Sequence, residues 1–280
     1  MKKFLFISIC LVLILLVGPI ITGCSSESTA KLQVVTSTSL MEYIVKQVGG
    51  ERVEVINLVP PNQHPGNFDI KPGDVQNLSK ASLFLLHGWP GEGYADKLIS
   101  SANNPELKVV KASVDGNWMI PSIQLAATAK VTSILSDIDN KNTSAYQKAG
   151  EAYKKTIQST ETNVKDRLSR ARVSSIKIIA STRQADFLQW AGFQVLGTFA
   201  SPQALTPQAV KSLVDKGKAE GVTLVVNNLQ DGQDAGRAIA EELEANNLNL
   251  SNFPGGFENT ETWEKAIGYN VDILINALTE

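Results

Sequence analysis

TSAYQKAGEAYKKTIQSTETNVKDRLSRA, residues 143–171, is the stretch whose reading decides the fold. Tyr146, Ala149, Tyr153, Ile157, Thr160, Val164, Leu168 and Ala171 recur every three or four residues, the spacing that gathers side chains on one face of an α-helix. No proline interrupts it. Gly150 costs a helix only about 1 kcal/mol. Thr143 or Ser144 is placed to cap the start. Lys165, Arg167, Arg170 and Arg172 crowd the end, where the helix dipole favours cations. At about 1.5 Å per residue the helix would be roughly 40 Å long. That is more than one small domain needs, so the spacing predicts a strut joining two lobes.

On both sides of the strut, short apolar runs alternate with helical patterns. Before it come Leu32–Thr36, Leu40–Val48, Val53–Leu58, Val75–Lys80, Leu83–Leu86, Glu92–Ser101, Lys108–Lys111 and Trp118–Ile138. After it come Ile176–Ala180, Gln184–Trp190, Gln194–Phe199, Pro207–Ala219, Thr223–Asn227, Ala235–Ala245, Leu248–Ser251 and Glu261–Leu278. Such alternation predicts an α/β fold of two lobes, each a parallel sheet flanked by helices. The halves share an architecture rather than residue identity. Each has a proline-opened helix leading into an apolar strand, at Pro72 and at Pro207.

The N-terminus sets the compartment. Lys2 and Lys3 precede an apolar run from Phe4 to Val17, and Ile21-Thr22-Gly23-Cys24 closes it, the pattern of a signal peptide ending in a lipobox. The run is too short for a spanning helix and meets Ser25-Ser26-Glu27 at once. The expected organisation is a signal peptide over 1–23 and a tether over 24–31 lipidated at Cys24. An N-terminal lobe over 32–141, a linking helix over 142–172 and a C-terminal lobe over 173–280 follow. The mature chain would lie at the outer face of the cytoplasmic membrane or in the periplasm. Cys10 leaves with the signal and Cys24 is acylated, so disulfides, zinc-thiolate sites and cysteine nucleophiles are excluded from the body. Removing two lysines from 26 basic residues against 28 acidic ones leaves a formal charge of −4, which argues against nucleic acid as a partner.

In open parallel sheets ligands sit beyond the carboxyl ends of the strands, so two such lobes facing each other make a cleft. The strand ends supply its candidate ligand-binding residues: His64, His87, Trp89, Trp118, Arg183, Asn227, Asn228 and Asn252. His87 either lines the cleft or ends its strand, and Trp89 and Trp118 either wall the cleft or pack the lobes together. His64 and His87 are the only imidazoles and so the candidate metal ligands. No Gly-x-Ser-x-Gly elbow and no Gly-x-x-x-x-Gly-Lys phosphate loop occurs. A binding protein is therefore expected rather than an enzyme, with no resident cofactor.

Val34-Val35-Thr36-Ser37-Thr38-Ser39-Leu40, Gly49-Gly50-Glu51-Arg52-Val53, Leu58-Val59-Pro60-Pro61, Lys71-Pro72-Gly73-Asp74-Val75 and Ala81-Ser82-Leu83-Phe84 together resemble the solute-binding lipoproteins of zinc and manganese ABC importers. The resemblance spans essentially the whole mature chain. It implies two lobes held by a rigid linking helix, a transported divalent metal as ligand, an ABC permease as partner, a lipid anchor and a monomer. The metal ligands it would imply do not carry over. The two histidine positions hold Gly66 and Gly116. The next falls at Thr182 or Arg183, and the later acidic positions read Asn227-Asn228 and Ser251-Asn252. Zinc and manganese need imidazole or carboxylate donors. The residues therefore predict weak binding of bare zinc and favour a chelated metal or a small anionic solute contacting Arg183, Asn227 and Asn228. The alternative function on the same fold is a surface adhesin-like lipoprotein with a vestigial site.

Overall fold

A computed structural model describes residues 30–232 and 234–279; the signal peptide, Cys24 and nearly all of the tether lie outside them. Strands β1 (Leu32–Thr36), β2 (Val53–Asn57), β3 (Leu83–Leu86) and β4 (Lys108–Lys111) form one parallel sheet in the order β2-β1-β3-β4. Strands β5 (Lys177–Ser181), β6 (Gln194–Phe199), β7 (Leu224–Asn228) and β8 (Asn246–Leu250) form the other, ordered β6-β5-β7-β8. The two orders are the same. In each sheet the chain reverses direction across the sheet between the first and third strands, which opens a crevice at their carboxyl ends.

The helices of the first half are α1 (Ser39–Gly49), α2 (Pro72–Lys80), α3 (Ala95–Ala102) and α4 (Pro121–Ile138). The strut is α5 (Thr143–Arg170), 28 residues long. Helices α6 (Ala185–Ala191), α7 (Pro207–Glu220), α8 (Arg237–Leu243) and α9 (Trp263–Asn276) complete the second half. Tyr146, Tyr153, Ile157, Val164 and Leu168 of α5 are buried as the spacing predicts, with Ala149, Thr160 and Ala171 half-buried. Asn142, not Thr143 or Ser144, occupies the N-cap; its side chain makes no capping bond and donates instead to Asp139 at 2.7 Å. Gly150 is a contact rather than a flaw. A Cβ there would lie 2.4 Å from Thr132 Oγ1, so its absence lets α5 lie close against α4.

Alternation along the strands decides what each sheet face buries. Val34, Leu83 and Leu85 point to one side and Val35, Phe84 and Leu86 to the other; Ile178, Ala180, Leu224 and Val226 oppose Ile179 and Val225 in the same way. The outer faces pack on their own lobe's helices, through Leu78 and Leu98 in the first and Val214 and Ile239 in the second. The inner faces share one interior. It runs without interruption from Val34 and Met41 through Trp118, Tyr153 and Ile157 to Ile178, Trp263 and Ile267. Polar links reinforce it: Trp263 Nε1 donates to the Trp118 carbonyl at 2.9 Å, Tyr43 Oη to Glu264 at 2.7 Å, and Ser39 Oγ to the Pro254 carbonyl at 2.7 Å.

Most boundaries shift by one to three residues from the sequence expectation, and two of the shifts have a clear local reason. The helix expected from Glu92 starts at Ala95, because Glu92 closes a 3₁₀ turn (Pro90–Glu92) and folds its carboxylate back on the preceding loop. Strand β8 begins at Asn246 rather than Leu248. Asparagine is a poor strand former, but Asn246 and Asn247 pair in register with Leu224 and Val225, and Asn247 Oδ1 accepts from Asn227 Nδ2 at 2.7 Å.

Candidate functional site

The carboxyl ends of β1, β3, β5 and β7 converge on a cavity of about 420 Å³ between the lobes. From the first lobe it is lined by Leu40, His64, Trp89, Gly91, Gly116, Asn117 and Trp118, and from the second by Thr182, Arg183, Asp186, Asn228, Gln230, Asn252 and Phe253. Six of the eight candidates therefore lie on its wall: His64, Trp89, Trp118, Arg183, Asn228 and Asn252.

His87 and Asn227 do not. His87 shares the strand parity of Leu83 and Leu85, so its ring enters the shared interior, where it is 1 % exposed. It stacks on Trp89 with centroids 3.6 Å apart, meets Trp118 edge-on at 4.3 Å, and shares a 2.7 Å hydrogen bond between Nε2 and Thr38 Oγ1. Burial pushes its pKa well below the ordinary histidine value. Asn227 has the parity of Val225 and turns to the outer face, where Nδ2 donates to Asn247 Oδ1 and the Leu248 carbonyl and Oδ1 accepts from Gly236 N–H. The two histidines are thus not a ligand pair on one surface. Among the described residues no group of three or more His, Cys, Asp or Glu is placed to hold a metal ion.

His64 sits where a proline-rich loop enters a 3₁₀ turn, and Gly66 N–H donates to its Nδ1 at 2.9 Å. That bond occupies the Nδ1 lone pair and makes the neutral ring an Nε2–H donor. Burial, and then the Arg183 cation across the cavity, lower the His64 pKa against an opposing pull from Asp231, which keeps the ring neutral. The glycines at the positions the resemblance assigns to histidine both sit against a neighbouring side chain, and Gly116 alone is also held by its backbone. A Cβ on Gly66 would lie 2.9 Å from His64 Nδ1. Gly116 has φ +101°, and a Cβ there would meet Ile123 at 3.1 Å.

Two residues the sequence reading did not single out hold the walls. Glu92, 7 % exposed, accepts from the backbone N–H groups of His87 (2.9 Å), Gly88 (2.7 Å) and Trp89 (3.1 Å), which fixes the loop carrying Trp89. Asp231 accepts from Arg183 Nε at 3.0 Å and from Asn228 Nδ2 at 3.0 Å, so the guanidinium is anchored while its far edge remains half exposed.

The amides of the second-lobe wall are bonded mainly to one another and to backbone. Gln184 Nε2 donates to Asn228 Oδ1 at 3.0 Å. Gln230 donates to Ser251 Oγ at 2.9 Å and to the Pro61 carbonyl at 2.7 Å, and its Oε1 accepts from Asn252 N–H at 3.1 Å. Asn117 Nδ2 bridges the lobes to Asn252 Oδ1 and the Arg183 carbonyl, both at 3.1 Å. Asn228 and Asn252, expected to face a solute, thus have their amide groups engaged within the protein.

Comparison with known proteins gives a consistent result. The profile of the family described as "Zinc-uptake complex component A periplasmic" matches residues 34–277. The manganese-binding lipoprotein MntA of Halalkalibacterium halodurans is 23 % identical, with 100 % of each chain covered. Among solved structures, a crystal structure of ZnuA superposes with a TM-score of 0.76 at 20 % identity over 89 % of this chain and 100 % of that one. The periplasmic zinc-binding protein TroA from Treponema pallidum gives 0.76 at 17 % identity, over 89 % and 99 %. At these identities the superpositions establish the two-lobed fold.

Proposed function

This chain belongs to the zinc-uptake component A family, the non-enzymatic solute-binding components that serve a membrane permease in metal-type ABC importers, and from that premise we propose that it captures its cargo in the interlobe cavity while held to the membrane as a monomer by a lipid on Cys24. The observation that carries the cargo reading is the cavity itself: about 420 Å³ of open space at the carboxyl ends of both sheets, on a molecule whose lobes are otherwise closely packed. A cavity of that size suits a small molecule, and its openness favours a receptor over an adhesin with a collapsed site.

The donor set argues that the cargo is not a bare divalent ion. Zinc and manganese sites use deprotonated imidazole or carboxylate ligands. Here His64 presents N–H, His87 is sequestered in the interior, and the wall offers one guanidinium and one lone carboxylate, that of Asp186, rather than a cluster of donors. A metal would be carried within an organic chelate, or a small organic solute would be carried alone.

Elemental analysis and native mass spectrometry of the protein purified without chelator test this reading. The expected result is substoichiometric zinc and manganese after dialysis. One tightly held equivalent of either metal, lost in His64→Ala, would overturn it. Lipidation is tested by fatty-acid labelling, which should mark the wild type and miss Cys24→Ala; persistence of the label in the variant would remove the anchor from the reading.

A further inference from the structure

A census of the cavity's uncommitted polar groups narrows the cargo. The amides of Asn117, Asn228, Gln230 and Asn252 all bond within the protein. Among the described residues, the side-chain groups on the wall without a hydrogen-bond partner are His64 Nε2, the two Nη nitrogens of Arg183, the Trp89 indole N–H, the Thr182 hydroxyl and the Asp186 carboxylate. All but the last donate. Asp186 belongs to the first turn of α6, where a carboxylate is favoured by the helix dipole without any ligand. Asp231, the other nearby acid, is 6 % exposed and spent on Arg183 and Asn228. The wall therefore offers N–H and O–H groups clustered around a guanidinium anchored through Nε alone.

We propose that the cavity recognises a small organic carboxylate, its oxygens bound by Arg183 and His64 and its body lying against Trp89. Planar guanidinium matches a carboxylate in two parallel bonds, and anchoring Nε on Asp231 orients the Nη edge before the ligand arrives. A neutral Nε2–H on His64 adds a donor without bringing a second charge that would have to be desolvated. The indole supplies an apolar face for the rest of the molecule. The same oxygens could belong to a free acid or to the outer surface of a metal–carboxylate chelate. This inference rests on the reading of the cavity as the cargo site.

Titration of the purified protein, followed by tryptophan fluorescence and calorimetry, separates the cases. The probes are citrate and pyridine-2,6-dicarboxylate, each alone and with equimolar zinc, with zinc chloride alone as the reference. At least one carboxylate is expected to bind and alter tryptophan emission, with affinity at least tenfold weaker in Arg183→Gln and several-fold weaker in His64→Ala. Saturation by the acid alone identifies a free-acid source, and saturation only with zinc present identifies a chelate. Thermal melts of both variants establish that they are folded. Should Arg183→Gln unfold, Arg183→Lys, which keeps the charge but loses the fork, is expected to show the same loss. Carboxylate binding unchanged by these substitutions, or silence of all four carboxylate probes, overturns the inference. Stoichiometric binding of zinc chloride alone overturns both this inference and the cargo reading above.

Discussion

On the first-lobe wall of the cavity, Trp89 and Trp118 close around the buried ring of His87, and one carboxylate, that of Glu92, gathers three backbone N–H groups to keep the loop in place. On the second-lobe side the amides of Asn228, Gln230 and Asn252, with the buried Gln184, exchange hydrogen bonds with each other and with backbone, and Thr182, Arg183 and Asp186 are the exposed polar groups beside them. The first wall derives its stability from apolar area and stacking, the second from satisfied polar groups. Non-directional burial tolerates loss poorly because a cavity remains, whereas a polar network fails by leaving partners unpaired. The two walls should therefore break differently.

The largest effect is expected at Trp118, which is 1 % exposed and belongs to the interior common to both lobes. Trp118→Ala should lower the unfolding free energy by about 3–5 kcal/mol, measured by urea denaturation, and because the interior is continuous the transition should stay single rather than split by lobe. Two separate transitions would show that the lobes do not share stability.

An intermediate effect is expected from the polar devices. Gln230→Leu strands Asn252 N–H and the Pro61 carbonyl and takes one donor from Ser251 Oγ, which keeps its bonds with Phe253, and should cost about 1–3 kcal/mol. Glu92→Gln leaves one of three donors facing an NH₂ group and should cost a similar amount, but it should also change tryptophan emission by loosening the Trp89 loop. Equal stability loss with unchanged emission would mean that the carboxylate does not position the aromatic wall.

The smallest effect is one of pH and concerns His87. Burial holds its native pKa well below the ordinary 6.5. Thr38 is its hydrogen-bond partner, Trp89 stacks on its face and Trp118 meets it edge-on, and the adjacent acid, Glu92, is occupied by backbone N–H groups. Above about pH 6.5 both the native and unfolded rings are neutral, so stability does not depend on this group. Below it the unfolded chain binds a proton that the native protein refuses, and stability should fall by up to about 1.4 kcal/mol per pH unit. His64, whose pKa is also lowered, adds a contribution of the same sign. Urea titrations at pH 7 and pH 5 should show this loss in the wild type and a smaller one in His87→Phe. Identical slopes in the two proteins would locate the acid sensitivity elsewhere.

The fold was legible because the signals that set it are periodic. The strands at Leu32–Thr36, Leu83–Leu86, Lys108–Lys111 and Gln194–Phe199 coincide with those read from the sequence, and the strut ends one residue short of the expected Ala171. The cavity wall was legible as a set of strand ends but not as a set of directions. Strand parity would have supplied some of them: His87 follows Leu83 and Leu85 inward, and Asn227 follows Val225 outward while Asn228 follows Val226 towards the cavity. The engagement of the amides had no comparable signal, since Asn228 bonds to Gln184, and Asn117 to Asn252, across sequence distances that no local pattern encodes. Glu92 was hidden for a simpler reason. A glutamate after Pro90-Gly91 reads as the polar start of a helix, and only the folded loop shows it reaching back.

The single interior that passes through both lobes and α5 also bears on how this molecule could be turned into an optical sensor. Designs that place two dyes on opposite lobes depend on a change in their separation, and a body packed continuously from Met41 to Ile267 offers little such travel. The usable signal lies in the local polarity at Trp89, on the rim of the cavity, so a reporter should be built into that loop rather than across the lobes.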